Sequence, residues 1–263
     1  MKSFLESAKS AARLAGEILM QGSGTLTVKY KDSTRRNAVS NIDLAAEKAI
    51  LDFLRERFPD HSFLAEEGGQ FKTESGHQWI IDPLDGTTNY IHGFPFFSVS
   101  IGLEIQKVIQ VGVVFDPVRN DLFYAEKGKG AFLNGKPLRT SGTERLQQAL
   151  LVTGFSYNLP SNPAENFTHF YHFSLSAQAV RRTGSAALDL CYLAAGRFDG
   201  YWEFNLAPWD TAAGSLIVEE AGGKITGLDG EPFSIYSKAI LASNGFLHAS
   251  MIEVLQKKSQ SLP

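Results

Sequence analysis

Cysteine is almost missing from this chain: Cys191 stands alone among 263 residues, so no internal disulfide framework can form. No stretch reaches the roughly eighteen consecutive apolar residues that a membrane-spanning helix needs, and no membrane partner is predicted. An excess of either charge is also lacking. Lys and Arg number 25 against 28 Asp and Glu, a formal net charge of −3, and bulk charge gives no footing for nucleic acid. Repeats and low-complexity tracts are absent, apart from a polar tail over residues 257–263 where fraying is expected.

Apolar side chains are plentiful at 43% of the residues, enough to bury a large core as one big domain or two closely packed ones. The opening Met1-Lys2-Ser3-Phe4-Leu5-Glu6 reads as a helix start with a capping box from Ser3 to Glu6, and not as an export signal. A cytoplasmic protein is predicted.

Apolar spacing predicts helices over 4–21 and 41–57, the second from Ile42, Ala46, Ala49, Ile50, Phe53 and Leu54. A β-rich block of antiparallel character follows: a strand ending at Asp82, then 97–106, 108–115 and 121–126. From residue 149, strand-like runs 150–155, 179–182 and 198–204 alternate with helices near 164–176, 185–195, 209–221 and 246–257. This order predicts an α+β half, 1–148, packed on an α/β half, 149–263. Cys191, inside the apolar helix, reads as a small buried hydrophobe and not as a nucleophile.

Chemistry concentrates in Trp79-Ile80-Ile81-Asp82-Pro83-Leu84-Asp85-Gly86-Thr87-Thr88-Asn89. An apolar strand delivers Asp82, Asp85 and Thr87 to its end, around a glycine. Pro83 biases Asp82 toward extended backbone. Asp85 is placed to cap a helix whose first turn, Gly86-Thr87-Thr88, offers free N–H groups to a phosphate. Paired carboxylates beside an anion repel it and each other unless hard, oxygen-ligated cations such as magnesium intervene. The pattern suggests metal-assisted phosphate hydrolysis, although Asp-Pro and Asp-Gly are also ordinary turn dipeptides.

Two further stretches add carboxylates. Ser62-Phe63-Leu64-Ala65-Glu66-Glu67-Gly68-Gly69 ends a strand in adjacent acids, and because side chains alternate along a strand, one of the pair is expected to enter a site. Ala207-Pro208-Trp209-Asp210 opens a helix that ends in Gly222-Gly223. Asp210 in its first turn either reaches a cation or serves the helix dipole. Asp43 in Ser40-Asn41-Ile42-Asp43 stands in the first turn of the helix over 41–57, where its ordinary reading is a partner of the helix dipole.

Together the three stretches resemble the inositol monophosphatase family of magnesium-dependent, lithium-sensitive phosphatases. The family's first signature, Asp-Pro-x-Asp-Gly-Thr after an apolar strand, is met by Asp82 to Thr87. Its second, Trp-Asp followed by small residues and an acidic, glycine-ended helix, is met by Trp209 to Gly223. The Glu-Glu-Gly-Gly segment precedes the first at the expected distance, and the similarity runs from the first helix to about residue 256.

The resemblance implies a layered αβαβα sandwich of mixed α+β and α/β class, as in inositol monophosphatase and fructose-1,6-bisphosphatase, and a homodimer. It implies two to three Mg2+ per subunit: one on Glu66, Asp82 and the Leu84 carbonyl, a second on Asp82, Asp85 and Asp210, and a weaker third near Glu66. Residues 29–36 are implied to form a mobile hairpin or loop near the metals. Glu66, Thr87 and Asp43 are the implied catalytic residues, Thr87 orienting a water while Asp43 accepts the threonine proton. Asp85, Gly86, Thr87, Gly184, Ser185, Ala186, Glu203 and Asp210 are the implied substrate contacts, with Glu203 reading polyol hydroxyls. Arg181 and Arg182 read as a solvated strand end, or as helpers for a second anionic group.

Relatives hydrolyse inositol monophosphates, fructose 1,6-bisphosphate, histidinol phosphate, NADP or 3′-phosphoadenosine phosphates. Inositol 1-phosphate is expected here, with a fructose-1,6-bisphosphatase or dual-specificity sugar phosphatase as the runner-up. Some bacterial relatives act with the transcription machinery, which leaves a binding-partner role as a reading of another class.

Overall fold

The computed structural model describes residues 3–22, 26–31, 33, 37–155 and 164–257. Helix α1 (Phe4–Gln21) leads to an antiparallel pair, β1 (Val28–Tyr30) and β2 (Ala38–Ser40), and then to α2 (Asn41–Arg57). Next come β3 (Ser62–Ala65), β4 (Gly69–Phe71), β5 (His77–Asp85), the short α3 (Thr87–Ile91), β6 (Ser98–Ile105), β7 (Val108–Asp116), β8 (Asp121–Glu126), β9 (Ala131–Leu133) and β10 (Lys136–Pro137). The eight strands β3 to β10 form one sheet in the order β10-β9-β8-β7-β6-β5-β3-β4. Its pairs are antiparallel, as expected, save for the parallel β3 and β5.

The remaining elements are β11 (Leu150–Thr153), α4 (Ala164–Ser176), β12 (Ala179–Arg181), α5 (Ala186–Ala194), β13 (Gly200–Phe204), α6 (Pro208–Glu220), β14 (Lys224–Thr226), β15 (Ala239–Ser243) and α7 (His248–Leu255). Five strands make a second sheet in the order β12-β11-β13-β15-β14. The first three are mutually parallel, and β15 runs antiparallel to both its neighbours.

Alternation along the strands sets the layers. Trp79 and Ile81 of β5 pack with Ala8, Ala12 and Leu19 of α1 and Ile50 of α2, whereas Ile80 between them packs with Ala212 of α6. In the second sheet Val152, Tyr201, Ile240 and Ala242 face α5 and α6, and Leu151, Trp202 and Leu241 face α4 and α7. The result is five layers, αβαβα, with α5 and α6 between the sheets. Helix α6 lies directly on β6 and β7, because a Cβ at Gly112 would stand 2.6 Å from the Ala213 carbonyl oxygen and one at Gly102 would stand 2.9 Å from the Ala212 Cβ.

Several expectations need correction. Ser3 Oγ accepts from the Glu6 N–H of α1 at 3.5 Å, but the Glu6 carboxylate pairs with Lys9 at 2.9 Å, so the box does not close. The expected strand 150–155 stops at Thr153, helix 246–257 is shortened to α7, and β14 and β15 went unpredicted. Of the expected hairpin or loop over 29–36, Lys29 and Tyr30 belong to β1 and pair antiparallel with β2, as in a hairpin; residues 32 and 34–36, like the tail 258–263, lie outside the described residues.

Candidate active site

The site grows from the end of β5. Its pairing with β6 shifts between Asp82, opposite Ser100, and Asp85, opposite Ser98. Three steps on β5 therefore match two on β6, a bulge at Pro83, which has no N–H for the ladder. The bulge re-aims both carboxylates. Asp82 Oδ1 accepts the Leu84 N–H at 2.9 Å, and Gly86 turns the chain with φ +97°, a conformation that disfavours any residue with a Cβ.

Asp85 does not cap α3, as the sequence suggested. The cap position is Gly86, without a side-chain bond. Asp85 Oδ2 instead accepts from Ser185 Oγ at 2.5 Å and from the Ala187 N–H at 2.8 Å. It thus sits on the positive end of α5, where a carboxylate is favoured by the unpaired N–H groups. Ser185 also lies 3.4 Å from Ser98 Oγ.

Thr87 Oγ1 stands 3.1 Å from Asp43 Oδ1 and 3.1 Å from the Leu84 carbonyl oxygen. Asp43 is fully buried. Its Oδ2 accepts from the Ser40 N–H at 3.1 Å and from the Ser40 hydroxyl, while Ser40 Oγ accepts the N–H groups of Ile42 and Asp43. A capping box at the start of α2 thereby fixes the partner of Thr87. Burial raises the Asp43 pKa, and the Ser40 and Thr87 bonds oppose that rise.

Asp210 opens α6 behind Pro208 and accepts the Ala207 N–H on Oδ2 at 2.7 Å. Glu66 and Glu67 lie past the end of β3, in a turn. Strand alternation no longer applies there, and Lys31 Nζ reaches both, at 2.9 and 2.5 Å. The Glu67 N–H also donates to the buried Glu47 at 2.8 Å.

A cavity of about 610 Å³ opens on this arrangement. Asp85, Asp210, Glu203, Gly184, Ser185 and Ala186 line it; Glu66, Asp82, Thr87 and Asp43 stand outside its lining. Glu203 is buried on β13, takes the Tyr201 hydroxyl at 2.7 Å, and has its pKa lifted to about 7, chiefly by burial. It presses on Gly154, where a Cβ would lie 2.0 Å from Glu203 Oε1. Arg182 joins the lining with its guanidinium 5.2 Å from the centre of the Phe155 ring. Arg181 is exposed, as a solvated strand end should be.

The acids are mutually unfavourable. Burial, then Glu66, Asp85 and Asp210, push the Asp82 pKa well up. Burial pushes Asp85 to about 6 against the bonds from Ser185 and Ala187, and burial with the Asp85 charge raises Asp210. An all-oxygen donor set of close, desolvated carboxylates suits a hard divalent cation. As they stand, Asp82, Asp85 and Asp210 accept from separate donors while Glu66 shares Lys31 with Glu67, and no three His, Cys, Asp or Glu side chains among the described residues are already gathered as a metal-holding group.

Sequence reasoning passed over three residues of this region. Asn89 and Thr183 link α3 to the turn before α5. Asp189 is a buried carboxylate that accepts the Thr183 hydroxyl. An aspartate in an otherwise apolar helix was the available signal, since a carboxylate is rarely buried without a partner.

A model of the inositol monophosphatase family matches residues 1–260. An inositol-1-monophosphatase of Synechocystis is 41% identical over 99% of this chain and 91% of its own length. The Nus factor SuhB of Pseudomonas aeruginosa is 41% identical over 97% of both chains. The solved inositol monophosphatase of Anabaena is 45% identical and superposes with a TM-score of 0.87, covering 96% of this chain and 94% of that one. No described helix is long and apolar enough to cross a membrane. With its layered fold, its paired carboxylates at the end of β5 and these likenesses along its whole length, the chain belongs to the inositol monophosphatase family.

Proposed function

We propose that the protein hydrolyses a phosphate monoester with Mg2+, and that inositol 1-phosphate is its preferred substrate. The carrying observation is the meeting of Asp85, Asp210 and Glu203, from three different elements, on one cavity. Glu66, Asp82, Asp85, Asp210 and the Leu84 carbonyl would hold the two to three ions. Bound magnesium supplies positive charge for the phosphate and lowers the pKa of the attacking water.

The remaining work falls to the chain itself. Asp43 Oδ1 takes the Thr87 proton, which leaves a lone pair on Thr87 Oγ1 to accept from a water and aim it. Gly86 and Thr87 present backbone N–H groups at the start of α3. Gly184, Ser185 and Ala186 form the wall against which the ester rests, and Glu203 accepts hydrogen bonds from polyol hydroxyls. Asp85, Asp189, Glu203 and Asp210 in the lining favour a ligand with many hydroxyls and one phosphate over a bisphosphate, and Arg182 in the same lining keeps fructose 1,6-bisphosphate as the second choice. Lithium inhibition, a homodimer and a cytoplasmic location belong to the same reading.

The test is phosphate release from inositol 1-phosphate, fructose 1,6-bisphosphate, histidinol phosphate, NADP and 3′-phosphoadenosine 5′-phosphate, with and without magnesium. A magnesium-dependent preference for the inositol ester is expected; silence on all five would overturn the reading. A second reading follows from the relative named a Nus factor: the protein acts as a partner of the transcription machinery. Rescue of a deletion phenotype by an inactive Asp82→Asn variant would favour it.

A further inference from the structure

Asn89, the last residue of the motif after β5, does something the motif alone does not explain. Its side-chain amide has two N–H donors, and both are used: one goes to the Phe96 carbonyl at 2.7 Å, the other to the Thr183 carbonyl at 2.9 Å. Phe96 precedes β6, and Thr183 lies in the turn that leads to α5. The two carbonyls belong to chain segments distant in sequence, one leading into β6 and the other into α5.

Thr183 is gripped twice. While its carbonyl takes the Asn89 bond, its hydroxyl donates to the buried Asp189, one turn into α5. The next residue, Gly184, has φ +91° and lies flat on the Asn89 amide, where a Cβ would stand 2.9 Å from Nδ2. Ser185 and Ala187 carry the effect onward. Ser185 Oγ and the Ala187 N–H are the donors to Asp85 Oδ2, at 2.5 and 2.8 Å.

We infer that Asn89 is a positioning residue: by pinning the Thr183–Gly184 turn against the end of β5, it holds the donors that orient the Asp85 carboxylate. The inference rests on the phosphatase reading above for its functional consequence, though the brace itself can be examined without it. Asn89 itself lines the cavity, but both of its side-chain donors go to main-chain carbonyls and not to Asp85 or Glu203. Its effect passes through the turn, from which Ser185 and Ala186 also reach the cavity.

Two measurements on the full-length protein test it. In metal-free protein, backbone hydrogen exchange over residues 183–188 should quicken about tenfold in Asn89→Ala, because two part-buried carbonyls lose their donor, while exchange in α7 stays unchanged. Unaltered exchange over 183–188, or equal acceleration in α7, would overturn the brace. Mn2+ binding, read by electron paramagnetic resonance without substrate, should weaken about tenfold in Asn89→Ala and severalfold in Ser185→Ala. The double variant should match Asn89→Ala, since both changes act through one route. Fully additive losses would overturn the route through Asp85. If Asn89→Ala does not fold, Asn89→Ser, with a single hydroxyl donor, is measured the same way. A wild-type protein that takes up no Mn2+, yet shows the local exchange response, would sustain the brace and sink the metal reading.

Discussion

Thr87 and Asp43, 44 residues apart in sequence, meet at 3.1 Å through Thr87 Oγ1 and Asp43 Oδ1. The carboxylate is rigid, because its other oxygen is engaged by Ser40 at the start of α2. Thr87→Val should lower turnover by about 10²-fold or more, in the range of a lost proton acceptor. Thr87→Ser should keep most of it. Asp43→Asn should lose turnover similarly and about 1 kcal/mol of stability from the weakened cap. Steady-state phosphate release with a circular-dichroism melt separates the two effects, and full activity in Thr87→Val would refute the role.

Asp82 carries a pKa raised by burial and by Glu66, Asp85 and Asp210. A folded acid with a pKa above its unfolded value draws protons on folding; its favourable contribution is complete at low pH and is lost as pH rises through the folded pKa. Metal-free Asp82→Asn should therefore melt above wild type at pH 8, with the gap closing as pH falls toward 5. Added magnesium should stabilise wild type and leave the variant behind, with most activity lost. Identical melting curves at pH 8 would argue against the mutual repulsion.

Gly154 lies against Glu203, so a methyl there must displace the carboxylate. Gly154→Ala should raise KM for the inositol ester by about tenfold, the effect of one lost hydrogen bond to a charged group, with a smaller change in kcat. An unchanged KM would remove Glu203 from the polyol contacts.

His61 sits far from this chemistry and sets another pH response. Its ring stacks on His77 at 4.5 Å, and Trp79 Nε1 donates to its Nδ1 at 3.1 Å. Burial, and then His77, lower its pKa to about 4. A base with a depressed folded pKa contributes fully above its unfolded value, near 6.5, and loses that contribution as pH falls toward 4. His61→Gln should flatten the fall in melting temperature across this window. An equally steep fall would exclude His61, and the Trp79 fluorescence of wild type should change in the same range.

Much of this was legible in residue order. Helix α2 and strand β5 announce themselves by period, and the acids of the motifs fall where the family pattern puts them. What could not be read was tertiary. The bonds from Asp85 to α5 join residues 100 positions apart, and a helix cap supplied from outside leaves no local signature. Strand β15 is short and was hidden for a related reason: its pairing partners are β13 and β14, not a hairpin neighbour with a marked turn. Glu66 and Glu67 stand in a turn past the last residue of β3, where strand alternation says nothing about which of them faces a site. Asn89 gave no signal of its own because its two acceptors are main-chain carbonyls, which no sequence identifies.

The contact of α6 with the first sheet bears on how such a site can be altered. The gap between Asp210 and the end of β5 is gauged by Gly102 and Gly112, residues on β6 and β7 that have no side chain and take no part in any reaction. A single methyl at Gly112 would wedge the helix outward while leaving every acid in the sequence intact. Such a protein would carry all the motifs of its family on a frame cut to the wrong width.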